Sequence, residues 1–191
     1  MIDQDKKSLR AVYKSIRADI VGRDIKNRSI TESVLNSAWY KKADKVFAYW
    51  SVGSEVDTRK IIEDALSCGK RVALPKCSDA SGNMKFYYID SLSDLTEGMY
   101  GISEPSGDVC ADDYTADSLC LVPALCFDVD GYRLGYGKGY YDRFLSRFKG
   151  ISIGLAYEEC LTDFLPRDKY DKKADYIITN IKTIRLKIKE E

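Results

Sequence analysis

Apolar and polar positions along the chain follow two periods, one typical of amphipathic helices and the other of buried strands. Near the N-terminus, apolar residues recur at helical spacing: Leu9, Tyr13, Ile16 and Ile20. This spacing predicts a first helix, and the pattern favours a second helix from about Ser29 to Lys42. A third helix is predicted after Asp57, which can cap it, and before Gly69, which is placed to end it.

Short runs of β-branched and aromatic residues predict the strands between these helices. The runs lie at 45–50, 71–75, 85–89, 118–125, 151–157 and 175–179. The first two flank the third helix, and a strand, a helix and a strand in succession imply a parallel pair with a right-handed crossover. The stretch 91–115 has no sustained periodicity and predicts mostly loop. A last helix is predicted to end near Phe148.

This alternation predicts an α/β fold in three layers, with a mostly parallel, Rossmann-like open sheet flanked by helices. The length of 191 residues suits a single domain over 1–191. The N-terminal segment has no apolar run after its charges, and no stretch approaches the roughly eighteen apolar residues that span a bilayer. We therefore expect a cytoplasmic protein with no membrane partner.

Composition restricts the chemistry that the chain can carry. Thirty basic residues balance thirty acidic ones, so no global field attracts nucleic acid and any anion site must be local. Histidine is absent, which removes the commonest general base and the mixed Cys/His zinc sites. The six cysteines form no CxxC pair and are expected to be reduced thiols.

The glycine-rich segment "GYRLGYGKGYYDRFL", residues 131–145, is the strongest candidate for a ligand site. It lies between a predicted strand and a predicted helix, where an open α/β sheet forms its ligand crevice. Glycines let backbone N–H groups approach a ligand closely, while Arg133 and Lys138 add positive charge. Phosphate is the expected ligand, and Asp142 could hold a magnesium ion against it.

Two familiar phosphate loops do not match this segment. A Walker A loop requires GxxxxGK[ST], but Tyr132 stands where its first glycine should be, and Lys138 is followed by glycine. A dinucleotide fingerprint requires GxGxxG after the first strand, whereas this chain has GxGxG late in the sequence. A structural alternative is a tight turn, with Asp142 as a helix-dipole partner only.

The segment "LVPALCFDVDGYRLGYGKGYYDRFL", residues 121–145, resembles over its full length the signature of the 5-formyltetrahydrofolate cyclo-ligase family. The similarity extends to "KKSLR" at the N-terminus, "YWSVGSEVDT" after the first strand, "ALP" at 73–75 and "ADYIIT" near the end. It implies ATP- and magnesium-dependent closure of 5-formyltetrahydrofolate to 5,10-methenyltetrahydrofolate, with release of ADP and phosphate. The 5-formyltetrahydrofolate substrate would be used with or without a polyglutamate tail, and the protein would be a monomer or weak dimer.

The family reaction needs no histidine. The γ-phosphoryl group passes to the formyl oxygen of the substrate, and N10 then attacks the activated carbon. Because the substrate supplies the nucleophile, the protein chiefly positions groups and neutralises charge.

By matching position, the resemblance implies the following site residues. The ATP contacts are Lys6, Arg10, Arg133, Gly135, Gly137, Lys138, Gly139, Tyr140 and Tyr141, and three of them, Arg133, Lys138 and Tyr140, are implied to be catalytic. The folate contacts are Trp50, whose ring could stack on the pterin, and Glu55, which could accept bonds from its N–H groups. The metal ligands are Asp142 and Asp175.

Several alternatives stay open at this point. Spacing alone favours a solvated basic face for Lys6 and Arg10, a core role for Trp50 and an exposed loop carboxylate for Glu55. The chain also has Tyr170 where many family members have histidine, beside Asp171, a weaker candidate. Two other functions are a nucleotide- or RNA-binding module without turnover, and an ATP-dependent ligase or kinase that acts on another pterin or acid.

Overall fold

The computed structural model of the chain describes residues 2–77, 84–98 and 101–186. Within these ranges the α-helices are α1 (Ile2–Ala18), α2 (Arg23–Asn36), α3 (Ala38–Lys42), α4 (Arg59–Ser67) and α5 (Tyr140–Leu145). The strands are β1 (Lys45–Phe47), β2 (Arg71–Cys77), β3 (Met84–Ile89), β4 (Leu95–Glu97), β5 (Ser103–Pro105), β6 (Ser118–Val122), β7 (Cys126–Asp128), β8 (Arg133–Leu134), β9 (Ile151–Leu155), β10 (Leu161–Thr162), β11 (Tyr176–Ile178) and β12 (Thr183–Arg185).

The described strands form one large sheet and two small ones. The large sheet has the order β12-β11-β9-β6-β1-β2-β3. Its five inner strands are parallel, with Val46 of β1 in register with Val72 of β2 and Leu119 of β6. The edge strands β3 and β12 run antiparallel to their neighbours. This mostly parallel open sheet confirms the predicted α/β fold.

The alternation of side chains along β1 separates two cores. Val46 belongs to one core cluster, which also contains Ile30 of α2 and Ile62 of α4. The next residue, Phe47, points to the other face of the sheet and joins a cluster that contains Phe144 of α5. The sheet is therefore the middle of three layers.

The helices differ from the predictions at identifiable residues. The predicted helix over 29–42 starts earlier, at Arg23, and is interrupted at Ser37, which has extended backbone. The Ser37 hydroxyl accepts a hydrogen bond from the N–H of Tyr40 and so caps a new helix, α3. Gly69 ends α4 as predicted, with a positive φ of 71° that favours glycine.

Four other predicted segments differ from the structure. The segment 91–115 contains a short hairpin of β4 and β5, paired antiparallel. The predicted strand 118–125 ends at Val122, because Pro123 has no N–H to donate to a neighbouring strand. One further strand, β12, follows the strand predicted at 175–179. The helix predicted to reach Phe148 ends at Leu145.

Candidate active site

The connections of β1 and β6 run in opposite directions across the sheet. The chain leaves β1 through α4 to reach β2 on one side, and leaves β6 through α5 to reach β9 on the other. Open α/β sheets bind ligands at such a switch point, beyond the carboxyl ends of the strands. A cavity of about 1160 Å³ lies there, lined by Trp50 after β1 and by Pro123 and Ala124 after β6. Its volume exceeds the roughly 300–1,000 Å³ typical of one small ligand.

The glycine-rich loop lines this cavity from Arg133 to Arg143. Gly137 and Gly139 have positive φ values of 96° and 67°, which side-chain-bearing residues rarely adopt. The sequence had predicted that this loop follows a strand of the large sheet. It instead follows the hairpin of β7 and β8. The following helix, α5, has only six residues, so its dipole is weaker than expected and the charged side chains carry more of the anion attraction.

Arg133 and Asp142 form an ion pair inside the loop. Arg133 Nη2 lies 2.8 Å from Asp142 Oδ1, and the Arg133 side chain is 5% exposed. Both residues also bond to Lys172: its N–H donates to Asp142 at 3.0 Å, and its carbonyl accepts from Arg133 at 3.0 Å. The two ends of the loop are therefore held together and fixed to the segment before β11.

Helix α1 brings the two N-terminal candidates to the same cavity. The Arg10 Nε donates to the carbonyl oxygen of Gly135 at 2.9 Å. Lys6 is buried, and its Nζ lies 2.5 Å from Asp171 Oδ2 and 3.3 Å from Asp168 Oδ2. The interpretation of Lys6 as part of a solvated basic face is therefore wrong.

Glu55 and Trp50 line the cavity from the loop after β1. The Glu55 Oε2 accepts a hydrogen bond from the N–H of Val52 at 3.0 Å. Burial raises the pKa of Glu55, and the Val52 N–H, the charge of Arg17 and the Tyr136 hydroxyl oppose that rise. Trp50 is only partly buried, and its ring lies 5.1 Å from the Arg59 guanidinium. Trp50 both packs against the core and faces the cavity.

Tyr140 and Tyr141 start α5 and also line the cavity. The Tyr141 hydroxyl is buried, and among the described residues it has no hydrogen-bond partner. Burial raises the pKa of Tyr141 well above its usual value, so the group remains a neutral donor. A buried hydroxyl without a hydrogen-bond partner is costly, and a bound ligand could accept a hydrogen bond from it.

Asp175 is the one predicted site residue that the structure does not place in the cavity lining. Its Oδ2 accepts from the Ser152 N–H at 2.8 Å and from the Ser152 hydroxyl at 2.6 Å. It precedes β11, whereas the cavity lies beyond the carboxyl ends of β1 and β6. Within the described ranges, no group of three or more Cys, Asp or Glu side chains could hold a metal alone.

Sequence reasoning missed several residues that build the site. Asp168, Lys169 and Lys172 line the cavity beside the weaker candidate Asp171, and so does the β4–β5 hairpin through 102–104. Tyr170 lines it too, although 70% of its surface is exposed. Arg17 had a visible signal, since it follows the basic spacing of Lys6, Arg10 and Lys14, but nothing in the sequence indicates that it is buried.

The described residues include five of the cysteine side chains and the five α-helices. Free thiols occur at Cys68, Cys110, Cys120, Cys126 and Cys160; the side chain of Cys77 lies outside the described residues. Over the described ranges, none of the helices combines the length and apolar content needed to cross a bilayer.

The fold and the cavity define the class of protein: an open α/β protein with a basic, glycine-rich loop beside its switch-point cavity. Residues 2–180 match the model of the 5-formyltetrahydrofolate cyclo-ligase family. The chain belongs to that family, as its signature predicted.

Individual relatives agree with this assignment. The chain is 30% identical over 198 residues to a probable 5-formyltetrahydrofolate cyclo-ligase of Schizosaccharomyces pombe, covering 94% of this chain and 97% of the relative. It is 29% identical to the 5-formyltetrahydrofolate cyclo-ligase of Mus musculus, covering 93% and 94%. Among solved structures, it is similar to 5,10-methenyltetrahydrofolate synthetase of Aquifex aeolicus, with a TM-score of 0.83, 31% identity, and coverage of 97% and 95%.

Proposed function

We propose that the protein is a cytoplasmic enzyme that closes 5-formyltetrahydrofolate to 5,10-methenyltetrahydrofolate and converts ATP to ADP and phosphate. Membership of the cyclo-ligase family supports the reaction. The observation that carries the proposal for this chain is a single cavity that joins a basic, glycine-rich loop to a partly buried carboxylate, Glu55. The free thiols support a reducing compartment such as the cytoplasm.

The chemistry balances without a protein nucleophile. The formyl oxygen attacks the γ-phosphorus of ATP, the bond to the bridging oxygen breaks, and ADP leaves. N10 then attacks the formyl carbon, the carbon–oxygen bond breaks, and phosphate leaves with the former formyl oxygen while the N10 proton is lost. The protein must therefore align the two substrates and stabilise negative charge on the phosphoryl group.

The glycine-rich loop fits a nucleoside triphosphate. A Cβ at Gly135 would meet no atom within 4 Å, so the backbone there faces open space that a phosphate can occupy. Lys138 is exposed at the loop and Arg10 is anchored to it, and both bring positive charge to the cavity. We assign the phosphates to this loop, with Arg133, Lys138 and Tyr140 as the groups nearest the transferred phosphoryl.

Asp142 fits a magnesium ion, because it offers a carboxylate oxygen within the same loop. Bound magnesium would neutralise phosphate charge during transfer. Arg133 and the Lys172 N–H both bond to Asp142 and hold its carboxylate in place. Asp175 is satisfied by Ser152 away from the cavity lining, so we assign it a structural role.

Glu55 and Trp50 fit the pterin. An ionised carboxylate can accept hydrogen bonds from pterin N–H groups, and the partly buried Trp50 ring offers a face for stacking. Tyr141 adds a buried donor without a partner among the described residues, suited to an oxygen of either substrate.

The test is the near-ultraviolet absorbance of 5,10-methenyltetrahydrofolate when the purified protein meets 5-formyltetrahydrofolate. We expect a rise only with ATP and magnesium together; controls omit each in turn or replace ATP with ADP. No rise with the complete mixture, or a rise without ATP, would refute the proposal.

A further inference from the structure

Arg17, near the end of α1, connects three segments that surround the cavity. Its guanidinium donates to Ser54 Oγ at 3.0 Å, to the carbonyl oxygen of Ala124 at 2.9 Å and to Tyr136 Oη at 2.6 Å. Ser54 follows β1, Ala124 follows β6, and Tyr136 belongs to the glycine-rich loop. One side chain thus fixes the positions of three loops relative to α1.

The burial of Arg17 makes these bonds important. Arg17 is only 5% exposed, and a buried charge is costly unless its donors are satisfied. All three described acceptors are neutral oxygens, so the bonds compensate for lost water without cancelling the charge. The flat, forked guanidinium can reach several acceptors at once, which a lysine ammonium does less well.

Tyr136 also affects Glu55, the carboxylate that is predicted to contact the folate. Its hydroxyl oxygen accepts from Arg17, which also bonds to Ser54, the residue before Glu55, and Tyr136 and Glu55 line the same cavity. The Tyr136 hydroxyl also opposes the rise in the pKa of Glu55 that burial causes. Accepting a bond from a cation makes the tyrosine hydroxyl a stronger donor. Lys14 lies 5.3 Å from the centre of the Tyr136 ring, which further fixes the ring against α1.

Tyr136 is also part of the loop assigned to ATP, between Gly135 and Gly137. We propose that Arg17 is a positioning residue which, through Tyr136, couples the glycine-rich loop to Glu55, so that ATP binding orders the folate site. This inference rests on the proposed function. Binding free energies are reciprocal, so each substrate tightens the binding of the other by the same factor.

The test measures that factor by calorimetry. The dissociation constant of 5-formyltetrahydrofolate is determined without and with a saturating non-hydrolysable ATP analogue. We expect the analogue to tighten folate binding about fivefold or more in the wild-type protein, within the usual range of coupling. In Tyr136→Phe, which keeps the ring beside Lys14 and loses the hydroxyl, we expect less than about twofold tightening.

Arg17→Lys and Arg17→Met extend the test. Both should lose coupling, since neither has the guanidinium fork that reaches Ser54, Ala124 and Tyr136. If loss of the buried Arg17 guanidinium prevents folding, the result for Tyr136→Phe decides the test. Matched controls are Arg28→Met, at an exposed arginine of α2, and Tyr87→Phe, whose ring also has a lysine nearby, Lys76 at 5.6 Å.

The outcomes separate the two proposals. Wild-type coupling in Tyr136→Phe, or no coupling in the wild-type protein, overturns the role of Arg17 and Tyr136. An equal loss of ATP and folate affinity in Tyr136→Phe also overturns it, because that result indicates a general disturbance of the site. Turnover is measured on the same wild-type preparation, and its absence refutes the proposed function instead.

Discussion

Arg10 of α1 donates its Nε–H to the carbonyl oxygen of Gly135, 2.9 Å away. The same guanidinium lies beside Gly137, where an added Cβ would come within 3.1 Å of it. The helix that begins the chain and the loop near residue 135 therefore form one unit. Neither segment can shift far without breaking this contact.

Gly137→Ala should displace Arg10 and weaken ATP binding. The φ of 96° is unfavourable for alanine, and the methyl group would press on the guanidinium. We expect the KM for ATP to rise about tenfold, equivalent to about 1.4 kcal/mol, measured by steady-state kinetics. The control is Gly22→Ala, whose φ of 68° is also positive but whose Cβ would meet no atom within 4 Å; an equal effect there would contradict the explanation.

Gly135→Ala tests where the phosphates lie. The φ of Gly135 is not in the left-handed region, and there is room for a Cβ at this position. Thermal unfolding should therefore occur at the wild-type temperature. The methyl group would nevertheless occupy space in the cavity that we assign to phosphate. We expect several-fold weaker binding of an ATP analogue by calorimetry; unchanged affinity would place the phosphates elsewhere.

Glu55→Gln should raise the KM for folate more than the KM for ATP. Loss of a charged hydrogen-bond acceptor costs about 1.5–3 kcal/mol, or roughly a 10- to 100-fold rise. Equal changes in both KM values would remove Glu55 from the folate site.

The pH dependence of folate use offers a second test of Glu55. Burial raises the pKa of Glu55, so its charged form is lost at a higher pH than for an exposed glutamate, whose pKa is about 4.3. The KM for folate should therefore start to rise, as the pH falls, before that value is reached. Besides burial, the groups that act on the pKa of Glu55 are the Val52 N–H, Arg17 and Tyr136. Glu55 in turn adds to the rise that burial causes in the pKa of Tyr49 and Tyr141. In Glu55→Gln this acid limb should disappear, and its persistence would assign it to another group.

Asp142→Asn and Asp175→Asn separate the two predicted metal ligands. Asp142→Asn should raise the magnesium concentration needed for half-maximal activity, since a neutral amide binds the cation less well. Asp175→Asn should instead lower stability by about 1–2 kcal/mol, because Asp175 accepts two hydrogen bonds from Ser152. A shift in the magnesium titration for Asp175→Asn alone would reverse these assignments.

The sequence predicted the fold well where local physics decides it. The run at 45–50 contains β1, which is shorter than predicted and ends at Phe47. This strand is buried on both faces of the sheet, as Val46 and Phe47 show, and such runs are strong strand signals. Gly69 ends α4 because few other residues adopt its backbone conformation. The break at Ser37 was harder to predict, since the apolar pattern continues through it and only the serine side chain starts α3.

The site was only partly visible in the sequence. The glycines and charges of the loop indicated a phosphate site, and the family resemblance added Lys6, Arg10, Trp50 and Glu55, which all line the cavity. Arg17 and Tyr136 were missed because their importance comes from contacts between segments over a hundred residues apart in sequence. The bonds of Asp175 to Ser152 likewise depend on the pairing of β9 and β11.

The central claim is that the formyl oxygen of the folate receives the γ-phosphoryl group in this cavity. The most direct measurement uses 5-formyltetrahydrofolate with isotopically labelled oxygen in its formyl group, and analyses the released phosphate by mass spectrometry. We predict one labelled oxygen in each phosphate released with ring closure. Phosphate free of label, formed at the same rate as 5,10-methenyltetrahydrofolate, would contradict the account.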